Sequence, residues 1–67
     1  MSSNASNEYT QTQLIEIYAL NQQATVGDCD TQRPTRITDI LAKAKWDAWN
    51  SKMGMSKTEA RKQLEDI

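Results

Sequence analysis

Apolar residues recur at helical spacing in three segments of the chain, and short polar connections separate the segments. The first segment runs from Thr10 to Gly27, where Thr10 and Gln13 have the spacing of a capping box and Gly27 supplies a stop. Its apolar positions lie near one face of a helix and are Leu14, Ile17, Tyr18 and Ala24. The pattern predicts a helix over this segment, with Gln22 and Gln23 largely outside the apolar face.

Two further helices are predicted in the second half of the chain. The second begins at about Thr38, its predicted cap, and runs to Met53, with Gly54 ending it. Its apolar residues form two adjacent stripes, Ile37, Leu41, Ala44 and Ala48 in one and Ala42, Trp46, Trp49 and Met53 in the other. The third begins at Ser56, which has capping-box spacing to Glu59, and places Ala60 and Leu64 inward.

The predicted fold class is therefore all-α, a small bundle of three helices. We expect residues 1–9 to form a flexible tail and residues 10–67 to form a single domain. A chain of 67 residues supports only a marginal core, on the order of 3–5 kcal/mol.

The charge is distributed unevenly. All eight basic residues lie between Arg33 and Lys62, where Asp39, Asp47 and Glu59 are the only acids. Such a basic half indicates either an anionic partner or simply two differently solvated faces. A pI near 5.2 and scattered lysines argue against nucleic acid as a partner. No apolar run is long enough to predict a membrane span.

The chain lacks the residues that most catalytic and metal-binding sites require. The chain has no histidine, and Cys29 between Asp28 and Asp30 is a poor nucleophile, because neighbouring negative charge disfavours its thiolate. The sequence from Asp28 begins like a calcium-binding loop, but Arg33 occupies the position where such a loop requires glycine, so a calcium site is excluded. We therefore expect no enzyme activity, metal or cofactor. The single cysteine favours a cytoplasmic or other reducing compartment.

Two runs of residues resemble one known family. The run IYALNQQATVGD, from Ile17 to Asp28, resembles the second helix of the acyl-CoA-binding protein family. The run KAKWDAWN, from Lys43 to Asn50, is similar to the third helix of that family, and Ser56-Lys57 to the start of its fourth. The resemblance covers about residues 14–62, with one extra residue between Pro34 and Trp46.

The resemblance implies a four-helix bundle that binds long-chain acyl-CoA, here shortened, because the family's first helix has no counterpart in residues 1–7. Tyr18 matches a tyrosine that contacts the phosphate region, and Lys45 matches a lysine that pairs with the 3′-phosphate. Three ligand positions depart from the family pattern: Asn21 replaces an adenine-stacking tyrosine, Gln22 replaces a phosphate-binding lysine, and Leu64 lies near another ligand tyrosine. We expect weakened acyl-CoA binding.

The acyl groove or a partner face would be lined by apolar residues of the first two predicted helices, which are Leu14, Ile15, Trp46 and Trp49. An exposed partner face would also include Tyr18 and Leu41. For each tryptophan, an ordinary core position is favoured over an exposed partner site. The alternative function is an interaction or structural subunit that has lost the ligand and uses this face as a homodimer or within a larger assembly. A truncated or redesigned chain that exchanges helices between copies is a third interpretation.

Overall fold

A computed structural model describes residues 9–67, which contain three helices and no strand. They are α1 (Gln11–Thr25), α2 (Ile40–Asn50) and α3 (Lys57–Glu65). The all-α prediction is confirmed. Of the predicted tail, residues 1–8 lie outside the described part, and Tyr9 precedes the first helix in a non-helical conformation.

The ends of α1 are set by local sequence. The backbone N–H of Gln13 donates to the Thr10 hydroxyl at 3.1 Å, and the Thr10 N–H donates to the Gln13 side chain at 2.8 Å. At the other end, Gly27 has a φ of 106°, a left-handed conformation that glycine adopts without steric cost. The predicted capping box and stop are both confirmed.

The start of α2 differs from the prediction. The helix begins at Ile40 after Asp39, and Thr38 belongs to a turn in which the Asp39 N–H donates to the Arg36 carbonyl at 3.1 Å. The Asp39 side chain makes no capping bond, and its carboxylate lies 3.9 Å from the Arg36 guanidinium. The predicted start of α2 at Thr38 is therefore wrong, because Thr38 lies in this turn and the helix begins only after it.

The end of α2 also comes earlier than predicted, at Asn50 instead of Met53. After the cap residue Ser51, the N–H groups bond only three residues back, Lys52 to Trp49 at 2.9 Å and Met53 to Asn50 at 3.1 Å. Such bonds wind the chain more tightly than an α-helix does. Gly54, with a φ of 93°, ends this tight turn.

The third helix begins where the sequence predicts. The Ser56 hydroxyl accepts from the Glu59 N–H at 3.0 Å, whereas the Glu59 carboxylate accepts from the Gln63 side chain at 3.1 Å instead of reaching back to the cap. Ala60 is fully buried and Leu64 packs against the core, so both inward positions are confirmed.

Helix α1 lies between the other two. It packs against both α2 and α3, which do not pack against each other within residues 9–67. The core accordingly has two parts, one of Ala19, Cys29 and Trp49 with α2, and one of Leu20, Ala24 and Ala60 with α3.

The buried face of α1 is only partly the one predicted, and Ala24 is the predicted residue that is buried. Ala19, Leu20, Gln23 and Ala24 are buried, whereas Leu14 is 49% exposed and Ile17 and Tyr18 are half-buried. A helix with neighbours on two sides buries the residues that face both of them. Apolar spacing alone could not locate this face, because one of its buried members, Gln23, is polar.

A polar junction near the end of α1 joins that helix to the segment between α2 and α3. The buried Gln23 amide donates to the Asp28 carboxylate and to the Met55 carbonyl, both at 2.8 Å. The same Asp28 oxygen accepts from the Gly54 N–H at 2.9 Å. Both groups beside the Gln23 side-chain nitrogen are acceptors. The amide must therefore place its NH₂ group, and not its oxygen, at that position. Its oxygen has no partner in the described part of the chain.

Side chains of α2 hold the connection that precedes it. The Trp49 indole N–H donates to the Gly27 carbonyl at 2.8 Å, and the Trp46 indole N–H donates to the Thr31 carbonyl at 3.0 Å. Arg33 forms a two-pronged ion pair with Asp47, at 2.8 and 2.9 Å. These contacts position the connection along the side of α2.

Acid should weaken the polar junction. The Gly54 N–H first, and the Gln23 amide second, hold the pKa of the Asp28 carboxyl below its ordinary value of 3.8. The stabilisation is therefore present above that value and is lost as pH falls through the lower folded pKa. Thermal unfolding from neutral to acid pH should show Asp28→Asn less stable than the original chain at neutral pH, with the gap closing in acid. Asp30→Asn, a change at an exposed neighbour, is the control and should show no such gap.

Trp49→Phe should destabilise the protein by about 1–3 kcal/mol, because it removes the bond to Gly27 and leaves space beside Ala19. Trp46→Phe should cost less, because that ring is only half-buried and water replaces its hydrogen bonds. Urea unfolding followed by circular dichroism measures both. Equal losses for the two variants would contradict the assignment of Trp49 to the core.

Candidate functional site

Tyr18 of α1 and Lys45 of α2 meet where the two helices pack together. The Lys45 ammonium nitrogen lies 5.1 Å from the centroid of the Tyr18 ring, within the range of a cation–π interaction. Both side chains are half-buried. The two residues that the family resemblance assigns to the phosphate are thus brought together by the packing of α1 on α2.

A third side chain completes this group. The Gln22 amide, one turn further along α1, donates to the Tyr18 hydroxyl at 3.0 Å. Because the Tyr18 oxygen is the acceptor in that bond, its own proton remains available for a ligand oxygen. No carboxylate of residues 9–67 forms an ion pair with Lys45. The group can therefore offer a cation and a hydroxyl donor to an anion.

The other two departed positions lie in different surroundings. Asn21 is exposed on α1, and its backbone carbonyl accepts from the Thr25 hydroxyl at 2.7 Å. Leu64 is half-buried on α3 and packs against Leu20, Ala24 and Ala60. Leu64 therefore contributes to the contact between α1 and α3.

The residues expected to line a groove or partner face are not all on one surface. Leu14 is exposed, Ile15 and Trp46 are half-buried, and Trp49 is buried against Ala19 and Cys29. Of the two interpretations left open for Trp49, the structure places it in the core. A groove or partner role for the other three stays a prediction.

Two strongly exposed apolar residues, Ile37 and Ile40, were not assigned to any site from the sequence, and they lie beside Leu41, which was expected to line a partner face. Ile37 lies in the turn before α2, Ile40 and Leu41 open the helix, and Lys45 follows Leu41 by four residues. The apolar stripe in the sequence includes Ile37 and Leu41. It could not indicate that they would be exposed, because exposure depends on how α2 packs against α1.

The described part of the chain encloses no cavity and brings together no group of three or more acidic or cysteine side chains suited to a metal ion. None of its three helices is both long and apolar enough to cross a membrane.

Comparison with known proteins finds relatives that are similar to this chain over 49 or 50 residues. A protein of a Hypsibius species is 48% identical over 50 residues, which cover 75% of this chain and 55% of the relative. The acyl-CoA-binding protein homolog of Manduca sexta is 47% identical over 49 residues, covering 73% of this chain and 54% of that protein. Acyl-CoA-binding protein homolog 1 of Caenorhabditis elegans is 46% identical over 50 residues, covering 75% and 57%.

The chain spans little more than half the length of these relatives. A family model described as acyl-CoA-binding protein matches residues 1–64, which is nearly the whole chain. The match includes both α1 and α2, which carry Tyr18 and Lys45. By its sequence, this chain belongs to the acyl-CoA-binding protein family.

Proposed function

We propose that this protein binds long-chain fatty acyl-CoA and carries or sequesters it without making or breaking a bond. The observation that supports the proposal most directly is the approach of the Lys45 ammonium to the Tyr18 ring, at 5.1 Å. A cation and a phenol hydroxyl held together on two helices form a pair of donors for a phosphate group. In this proposal the 3′-phosphate of the nucleotide pairs with Lys45 and accepts from Tyr18.

The proposed affinity is lower than the family pattern implies. Gln22 supplies a neutral amide where the family has a lysine, and a charge-assisted hydrogen bond is worth roughly 1.5–3 kcal/mol. Asn21 cannot stack on adenine, which removes about 1–3 kcal/mol by analogy with base stacking on aromatic side chains. Together these losses correspond to about 10² to 10⁴ in affinity.

The acyl chain would lie on the apolar surface that begins beside this site. Trp46 and Ile15 are half-buried and Leu14 is exposed, so these side chains have surface that a hydrocarbon chain could cover. We further propose a cytoplasmic or other reducing location, because the chain's one cysteine, Cys29, is free and buried. Neither a cofactor nor a metal has a part in this mechanism.

A calorimetric titration with a long-chain acyl-CoA, with the mass in solution recorded in the same buffer, tests the proposal against its rival. Saturable one-to-one binding that weakens as ionic strength rises would support phosphate recognition. Absence of binding together with a dimeric or larger mass would favour the interaction subunit instead.

Lys45→Ala should weaken acyl-CoA binding by about tenfold to a hundredfold, because it removes a charge-assisted hydrogen bond worth roughly 1.5–3 kcal/mol. Lys43→Ala is the matched control, since it removes the same charge from the same helix without removing the contact with Tyr18. Calorimetry measures both variants, and circular dichroism confirms that they fold. Equal losses in the two would show that Lys45 contributes only general charge.

Gln22→Lys should strengthen binding by about tenfold to a hundredfold, because it places a second cation beside the Tyr18 hydroxyl. Gln63→Lys adds the same charge on α3, which does not pack against α2, and should change the affinity much less. If Gln22→Lys leaves the dissociation constant unchanged, position 22 does not face the phosphate.

A further inference from the structure

An apolar edge projects from the structure where the connection enters α2. It consists of Ile37, Ile40 and Leu41, whose exposed fractions are 86%, 75% and 47%. Ile37 lies in the turn before α2, and Ile40 and Leu41 are the first two residues of the helix, so the three residues are grouped where the chain enters α2. We call this surface the α2 edge. Large aliphatic side chains exposed to this degree and grouped together indicate contact with something other than water.

The surroundings of the α2 edge are basic. Between residues 33 and 45 the chain carries Arg33, Arg36, Lys43 and Lys45 but only one acid, Asp39. The Arg36 side chain is 80% exposed and directly precedes Ile37, and its guanidinium reaches the Asp39 carboxylate only at 3.9 Å. Arg33 is engaged by Asp47 from outside this stretch. The edge therefore combines protruding aliphatic groups with cations on either side.

A protein partner fits this edge poorly. A stable protein interface buries about 800 Å² and some 20–30 residues on each side, and its core is closely packed. The α2 edge has three residues and protrudes, and the described part of the chain encloses no pocket beside it. A lipid surface requires no matching shape, because aliphatic side chains enter the interface individually while cations attract anionic headgroups.

We propose that the α2 edge docks the protein onto an anionic lipid surface. Ile37 and Ile40 enter the boundary between headgroups and acyl chains, and Arg36 and Lys43 remain at the level of the headgroups. Docking is weak and reversible, because a few aliphatic side chains supply less apolar area than a lipid anchor does. This inference goes beyond the proposed ligand binding and does not depend on it.

The geometry of α2 relates this edge to the Tyr18 and Lys45 site. Leu41 and Lys45 are one turn apart on the same side of the helix, about 6 Å along its axis. A protein docked through Ile37 and Ile40 would therefore hold Lys45 close to the lipid headgroups. A phosphate-bearing amphiphile in the same surface would lie near that lysine.

Sedimentation with phosphatidylcholine vesicles, with and without phosphatidylserine and without any acyl-CoA, tests the proposal. The original chain should bind the phosphatidylserine vesicles, and binding should fall several-fold as salt is raised. Ile37→Ser together with Ile40→Ser should reduce vesicle partitioning by about tenfold or more. These residues are exposed, so the variant should fold normally by circular dichroism.

Two matched controls distinguish binding through the α2 edge from nonspecific hydrophobic binding and from nonspecific charge attraction. Met53→Ser removes a 58%-exposed apolar side chain beyond the other end of α2 and should leave vesicle binding unchanged. Arg36→Ala should weaken binding more than Arg61→Ala, a change at an exposed position on α3. The proposal would be overturned if Met53→Ser reduced vesicle binding as much as the double isoleucine substitution does. Equal losses for Arg36→Ala and Arg61→Ala would also overturn it.

Three other results would also overturn it. One is absence of binding to phosphatidylserine vesicles, and another is a concentration-dependent dimer abolished by the isoleucine substitutions, which would assign the edge to a second copy. The third is loss of acyl-CoA affinity in the isoleucine variant with vesicle binding unchanged, which would assign the edge to the ligand's acyl chain. Because the vesicles contain no acyl-CoA, failure of the ligand proposal leaves this test intact.

Discussion

Every helix-to-helix contact in the described part of the chain involves α1. This constraint explains why a polar residue occupies the middle of the structure. The buried Gln23 amide bonds to Asp28 after α1 and to the Met55 carbonyl before α3, and Asp28 in turn accepts from Gly54. A buried amide is costly without partners, so these bonds restrict the positions that α3 can take. An apolar residue at position 23 would lack that restriction.

The candidate site depends on the same arrangement. Tyr18 precedes the buried pair Ala19 and Leu20, so its ring lies at the margin of the contact between α1 and α2 instead of inside it. Lys45 approaches that margin from α2, which is held in place by the burial of Trp49 and by its bond to Gly27. The core contacts therefore determine the distance between the two donors, and a half-buried position leaves both accessible to an anion.

The two tryptophans illustrate how similar residues acquire different roles. Both occupy one predicted apolar stripe, and each donates its indole N–H to a backbone carbonyl of the preceding connection. Trp49 is nonetheless buried and Trp46 only half-buried. The difference arises because Trp49 is a member of the cluster with Ala19 and Cys29, whereas Trp46 packs on the outside of that cluster and bonds to Thr31.

The sequence alone determined the features that depend on neighbouring residues: three helices, the caps at Thr10 and Ser56, and the glycine turns at Gly27 and Gly54. Its two recognisable runs also identified Tyr18 and Lys45 as candidates for one site. Tertiary structure decided the buried face of α1, the bounds of α2 and the exposure of Ile37 and Ile40. These features depend on packing between segments distant in the chain, and helical periodicity records only which residues share a side, not which side is covered.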